Sequence, residues 1–263
     1  MLRKILPYLI LIVSAAGCFA AGESLFSRLN EYREGKEIYR ELSESVREEG
    51  NGNSIPKITE TAWAADPGPA LQTRGFSRSS MNFEKLRDIN PDVRGWIRLN
   101  GTNVDYPVMQ SANNDFYLSH AVTGVWNKVG TPFIDFRNSG DFSDRLTVIY
   151  GHFMDDGSMF TDIHKYKSQR FFEEHPVINL YTPDGDYEIL PVAGVYQNVE
   201  YWDFQFDYES DEDFIHQIDN WKAVSTFKSD MEYSASDRFT VLTLCTYDIE
   251  NGRFFLIGKL LSI

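Results

Sequence analysis

Arg238-Phe-Thr-Val-Leu-Thr-Leu-Cys245-Thr-Tyr-Asp-Ile-Glu-Asn-Gly-Arg253-Phe-Phe-Leu-Ile-Gly-Lys-Leu260 is the stretch whose reading decides the fold. Two runs of β-branched and aromatic residues flank a polar connection, the pattern of two strands joined by a turn or loop. The first run carries Cys245 at its end, and the other cysteine, Cys18, belongs to an apolar N-terminal run. Two cysteines so placed offer no disulfide framework, so Cys245 is expected as a free thiol. Strand ends and the loops after them are where a rigid scaffold presents reactive groups, which makes Cys245 a candidate nucleophile.

The connection has two readings with different chemical consequences. If Asn251-Gly252 closes a two-residue hairpin, Glu250 faces Arg253 and Cys245 lies five residues down the ladder, roughly 16 Å from the arginine. If 246–252 is instead an open loop, Cys245 and Arg253 are neighbours across the strand pair. Only the second arrangement makes a shared site.

Working outward, short strand patterns recur at 93–99, 104–109, 131–135, 146–150, 177–181, 187–196 and 239–244, with Asn100-Gly101 marking a hairpin turn. Helical spacing appears at 82–88, within 153–167, and at 211–224, where Phe214, Ile215, Ile218 and Trp221 share a face behind an acidic first turn. A short helix or irregular turn fits 116–121. Seven or eight short strands with a few inserted helices indicate a mainly β fold, a closed barrel or a sandwich.

A thiol attacks as thiolate and needs a base or cation beside it. Of the five histidines, His152 follows directly on the apolar run 146–150, whereas His120, His164, His175 and His216 lie in helical or loop contexts. Taken singly, a cysteine is more often a buried small apolar residue, a histidine after a strand a bonded loop residue, and Arg253 a surface or paired arginine. No histidine stands at metal-ligand spacing from another His or Cys, so no metal site is expected. A formal net charge of -14 and the lack of a basic stripe exclude nucleic acid as a partner.

At the N-terminus, residues 5–22 form an apolar run behind Arg3 and Lys4. Its length suits a single membrane pass with the rest of the chain on the outer side. A cleaved signal peptide is the alternative, with a lipoprotein-type cleavage at Ala15-Ala-Gly-Cys18 ranked last. Residues 24–49 carry the spacing of one or two amphipathic helices, read as a stalk. Residues 50–80, rich in Gly, Asn, Ser, Pro and Thr, read as a linker. The expected organisation is therefore an anchor or signal segment at 1–22, stalk and linker at 23–80, and the folded domain at 81–263.

Several segments together resemble the sortases, and within them class B: Asn90-Pro-Asp-Val-Arg-Gly-Trp-Ile97, Gly101-Thr-Asn-Val-Asp-Tyr-Pro-Val108, Asn114-Asp-Phe-Tyr-Leu118, Val148-Ile-Tyr-Gly-His-Phe-Met-Asp-Asp-Gly-Ser-Met-Phe160, and Cys245-Thr-Tyr247 with Arg253 beyond. The resemblance implies an eight-stranded sortase-type β-barrel with N-terminal helices and an inserted helix before the Cys-bearing strand. It implies a cysteine transpeptidase of the outer face of the cell membrane. Such an enzyme cuts a C-terminal sorting motif of a secreted protein, holds the Thr carbonyl as a thioester, and passes it to an amine of peptidoglycan or a pilin. Carried over, Cys245 resembles the nucleophile, His152 the general acid and base, and Arg253 the cation at the carbonyl; no cofactor is implied. Thr243 and Leu244 fall at substrate-lining positions. The family's Thr-Leu-x-Thr-Cys appears as Val241-Leu-Thr-Leu-Cys245, with Leu244 where a threonine is usual. Two other readings remain: a secreted cysteine peptidase, in which water replaces the amine, and a non-catalytic surface binding module on the same barrel.

Overall fold

Strand alternation closes the chain on itself. The computed structural model describes residues 2–47, 81–198, 203–246, 248 and 250–263. Its strands are β1 (Val93–Arg98), β2 (Asp105–Met109), β3 (Phe133–Ile134), β4 (Leu146–Tyr150), β5 (Ile178–Thr182), β6 (Gly185–Asn198), β7 (Arg238–Thr246) and β8 (Gly252–Ser262). They form a closed barrel in the order β1-β2-β3-β4-β7-β8-β6-β5. Pairing is parallel for β2/β3 and β4/β7 and antiparallel elsewhere. Of the two architectures left open by the strand pattern, the barrel is the one adopted, because closure leaves no unpaired edge among so many short strands.

Alternate residues of each strand go to opposite sides of the wall. Ile149, Leu242, Leu244, Phe254 and Leu256 join one buried cluster with Trp96, Ile97 and Leu180. Val148, Val241, Phe255 and Ile257 join a second on the outer side. The second is roofed by α4 (Asp211–Ala223), whose Phe214, Ile218 and Trp221 are buried. Ser210 caps that helix by accepting from the Asp213 amide at 3.1 Å, and three acidic residues occupy its first turn, as the dipole favours.

Around the barrel, α2 (Phe83–Ile89) starts on an Asn82 cap and α3 (Gln169–Glu174) is a short turn of helix. The helix expected within 153–167 is reduced to a 3₁₀ segment, Thr161–Lys167. Positive φ at Gly157 (79°) and Met159 (55°) interrupts the turn before it, while the Met159 amide donates to the Tyr106 hydroxyl.

The N-terminal region departs most from expectation. Residues 2–46 form one helix, α1 (Leu2–Val46). Tyr39, Leu42 and Val46 are buried in the same cluster as the barrel interior, so the last turns of α1 are part of the packed core. Among the described residues no helix is long and apolar enough to cross a membrane. This overturns the single membrane pass expected at 5–22 and the outer placement derived from it. The apolar run is not a separate span: it opens a 45-residue helix in which Glu23, Arg28, Glu31, Arg33 and Glu34 begin a succession of charges. The expected linker at 50–80 lies outside the described residues.

One buried carboxylate ties four segments together. Asp135, fully buried beyond β3, accepts from Arg137 Nε (2.9 Å) and Nη2 (2.8 Å), from the Tyr150 hydroxyl (2.9 Å) and from Asn114 Nδ2 (3.0 Å). Arg137 continues as a two-pronged pair to Asp203 at 2.8 and 3.1 Å. Burial opposes ionisation of Asp135, but the Arg137 guanidinium and amide, with Tyr150 and Asn114, outweigh it and hold the carboxyl below its ordinary value. A depressed carboxyl stabilises the fold above its unfolded-chain pKa of about 3.9, and that contribution is lost as pH falls through the folded value. Asp135→Ala should lose about 3 to 5 kcal/mol at neutral pH in denaturant unfolding. Asp135→Asn should show a shallower loss of stability than the parent below pH ~4, where only the ionisable residue has a proton to take up.

Candidate active site

The connection after β7 resolves the two readings of the Cys–Arg spacing. Cys245 pairs directly with Arg253, and Thr246 with Gly252. It is the loop reading that holds. Asn251 takes a positive φ of 49° just before β8 begins, a conformation asparagine tolerates. Directly paired residues on antiparallel strands present their side chains on one face. Arg253 Nη1 accordingly donates to Cys245 Sγ at 3.3 Å, and the thiol is exposed. A permanent cation beside sulfur favours negative charge on the sulfur, or on an oxygen formed when sulfur attacks a carbonyl.

His152 reaches the same region by a different pairing. Parallel β4 and β7 are matched up to Tyr150↔Thr243, and the Gly151 amide still donates to the Thr243 carbonyl at 2.9 Å. His152 and Cys245 each stand two residues beyond that last pair, Cys245 still on β7 and His152 just past the end of β4, where the two strands run about 4.8 Å apart. The His152 ring is held by its Nε2, 2.7 Å from the Leu118 carbonyl. A carbonyl only accepts, so Nε2 carries a proton and donates it to Leu118, which leaves Nδ1 as the nitrogen free to take up or give a proton. Hydrogen bonding thus joins Cys245 to Arg253, while His152 is fixed to Leu118 and shares the strand ends.

The two substrate-lining candidates are not on the surface. Thr243 and Leu244 both have 0% exposure. Leu244 points into the interior cluster, opposite Phe254 in register. Thr243 lies on the outer side two residues before Cys245, opposite Phe255, and its hydroxyl has no hydrogen-bond partner. Leu244 is apolar because its surroundings are.

Sequence reasoning passed over the groups that support this site. Tyr150 ends β4 on Asp135, and Phe204 packs its ring 4.9 Å from Phe255 and 6.4 Å from Tyr150, closing the outer face behind Thr243. Asp248, three residues past the thiol, accepts from the Tyr196 hydroxyl at 2.6 Å. These residues are distant in sequence or sit in polar loops, so no periodicity marks them. Among the described residues no cluster of His, Cys, Asp and Glu suited to a metal ion occurs.

No family model matches the chain. Among curated proteins it is similar to sortase B of Listeria monocytogenes, 33% identical over 205 residues, which span 75% of this chain and 83% of that protein. It is also similar to sortase B of Staphylococcus aureus, 32% identical over 184 residues, 69% of this chain and 75% of the relative. Among solved structures, a Staphylococcus aureus sortase B–substrate complex superposes with a TM-score of 0.66 at 30% identity, covering 69% of this chain and 85% of that one.

Gly151 is the joint between the β4–β7 register and His152. A Cβ there would clash with the edge of the Phe160 ring. Gly151→Ala should therefore cost about 1 to 3 kcal/mol through overpacking, read as a lowered thermal midpoint relative to the parent chain.

Proposed function

This chain belongs to the class B sortases and is a sortase-type cysteine transpeptidase, and we propose that it cleaves a C-terminal sorting motif of secreted proteins through a thioester on Cys245. The acyl group then passes to an amine of peptidoglycan or of a pilin. The observation that carries this reading is the direct pairing of Cys245 with Arg253 and the 3.3 Å bond between them.

The steps balance on three side chains. His152 Nδ1 takes the proton of the Cys245 thiol, and the sulfur, as thiolate, attacks the carbonyl carbon of the motif's threonine while the C=O π electrons move to oxygen. Arg253 faces that developing oxyanion, a role worth about 3 to 4 kcal/mol per donor in comparable sites. When the C–N bond breaks, protonated His152 gives its proton to the leaving amine. The neutral imidazole next takes a proton from the incoming amine, which attacks the thioester carbonyl; the C–S bond breaks and the thiolate is restored. His152 is suited to this exchange because its ring is oriented by the Leu118 carbonyl through Nε2. No step calls for a metal or an organic cofactor.

In this reading the domain that performs the reaction spans 81–263, with Thr243 and Leu244 shaping the groove from beneath the exposed Cys245. An exposed sulfur also leaves the thioester open to water, which is the peptidase outcome.

The test uses the full chain, wild type and Cys245→Ala, with a panel of Asn-Pro-x-Thr and Leu-Pro-x-Thr-Gly type peptides and an added amine, followed by intact mass. A Cys245-dependent adduct ending at the peptide's threonine, discharged to an amide product, is expected. Discharge only to the free acid would mark a peptidase, and no adduct with any peptide would mark a binding module. Arg253→Ala should slow adduct formation by about 10² to 10³-fold.

A further inference from the structure

His164 belongs to none of the roles above, yet it stands behind all three catalytic side chains. It lies in the 3₁₀ segment Thr161–Lys167 and is 7% exposed. Its ring packs edge-on against Phe153 at 5.4 Å, Phe254 at 5.4 Å and Tyr196 at 5.9 Å. Its Nε2 is 3.3 Å from the Thr246 hydroxyl. Phe153 follows His152, Thr246 follows Cys245, and Phe254 follows Arg253. Along β7 and β8 the next residue points through the wall, so one imidazole on the inner side touches the residues behind Cys245 and Arg253 as well as Phe153, the neighbour of His152.

The same nitrogen holds the connection between nucleophile and arginine. His164 Nε2 is 3.1 Å from Asp248 Oδ2. That oxygen also accepts from the Tyr196 hydroxyl at 2.6 Å and from Lys167 Nζ at 3.2 Å, and the Asp248 amide donates to the Thr246 hydroxyl at 3.2 Å. Asp248 reaches β6 through Tyr196 and the 3₁₀ segment through His164 and Lys167. Burial and Lys167 hold His164 below its ordinary pKa against the pull of Asp248, and its Nε2 is also 3.2 Å from the Tyr196 hydroxyl that donates to the same carboxylate oxygen.

We propose that His164 is a positioning residue for the acyl transfer: through its Nε2 contacts with Asp248, Tyr196 and Thr246 and its ring contacts it sets the spacing of Cys245, Arg253 and His152. The inference deepens the reading of the preceding section and rests on it. Its geometric basis is that a misplacement of about 1 Å in such a constellation can cost about 10²-fold in rate.

The experiment compares full-length His164→Phe, His164→Gln, Asp248→Asn and the His164→Phe/Asp248→Asn double variant in a Cys18→Ser background. His164→Phe keeps an aromatic ring and removes Nε2; His164→Gln restores a polar group near it. Two readouts are taken: alkylation of Cys245 by iodoacetamide, which needs no sorting peptide, and acylation by the peptide panel, with thermal unfolding as control. Expected for His164→Phe and for Asp248→Asn is a change of about threefold or more in alkylation rate, and a fall of about tenfold or more in acylation at saturating peptide with KM nearly constant. The double variant should be no worse than either single, since both break one contact, and His164→Gln should recover most of the loss. Additive losses, no rescue by glutamine, or rates equal to the parent would overturn the proposal. If His164→Phe unfolds, Asp248→Asn decides, because that carboxylate is 42% exposed and lies in a connection. If the parent acylates no peptide, the functional reading fails, and alkylation alone decides the positioning role.

Discussion

Strand β7 is hydrogen-bonded on both edges, parallel to β4 and antiparallel to β8, and its register on each side decides what stands next to the thiol. Because side chains alternate across a strand, a slip of one residue would turn Cys245 into the interior and Leu244 out to solvent. The interior prevents that slip. Leu242 and Leu244 are buried on one face and Val241 on the other, so any shift would carry apolar groups to the surface at the strand's end and a threonine hydroxyl into the core. The chemistry at Cys245 is in this sense held by the packing of residues that never meet a substrate.

The second constraint is polar. Asp135 has no exposed surface and survives as a carboxylate because Arg137, Tyr150 and Asn114 aim donors at it. Tyr150, one of those donors, is the last residue of β4, and Gly151 and His152 follow it. Arg137 hands the network on to Asp203, at the start of the chain that leads Phe204 onto the outer face. A buried network of this kind stabilises the fold only when complete, so it also specifies one arrangement of the strand ends.

Two supports therefore converge on the site from opposite sides of the wall. Asp135 holds β4 and the outer covering, while His164 and Asp248 tie the connection between β7 and β8 to the interior. The N-terminal helix adds a third, more distant one. Tyr39 of α1 donates to the Gly130 carbonyl at 2.5 Å and shares a hydrogen bond with the Thr131 hydroxyl at 2.7 Å. Thr131 in turn is bonded through its amide to the Tyr117 carbonyl, next to the Leu118 that receives His152.

By itself, the sequence determined the mainly β class, most strand positions and the helix before β7, because alternation, caps and an acidic first turn are local signals. The Tyr-Gly-His and Cys-Thr-Tyr segments with Arg253 pointed to the family and to three candidate side chains. Composition at 5–22 suggested a span, but how far a helix continues, and what its later turns pack against, are not properties of the apolar run alone. Whether Cys245 and Arg253 meet depended on where pairing stops after β7, and two loop lengths satisfied the same residues. Only the tertiary structure decided it, because register is set by cross-strand packing and barrel closure among residues far apart in sequence. For the same reason the roles of Asp135, His164 and Asp248 do not show in the sequence: each is recognised by the partners around it, and most of those partners come from elsewhere in the chain.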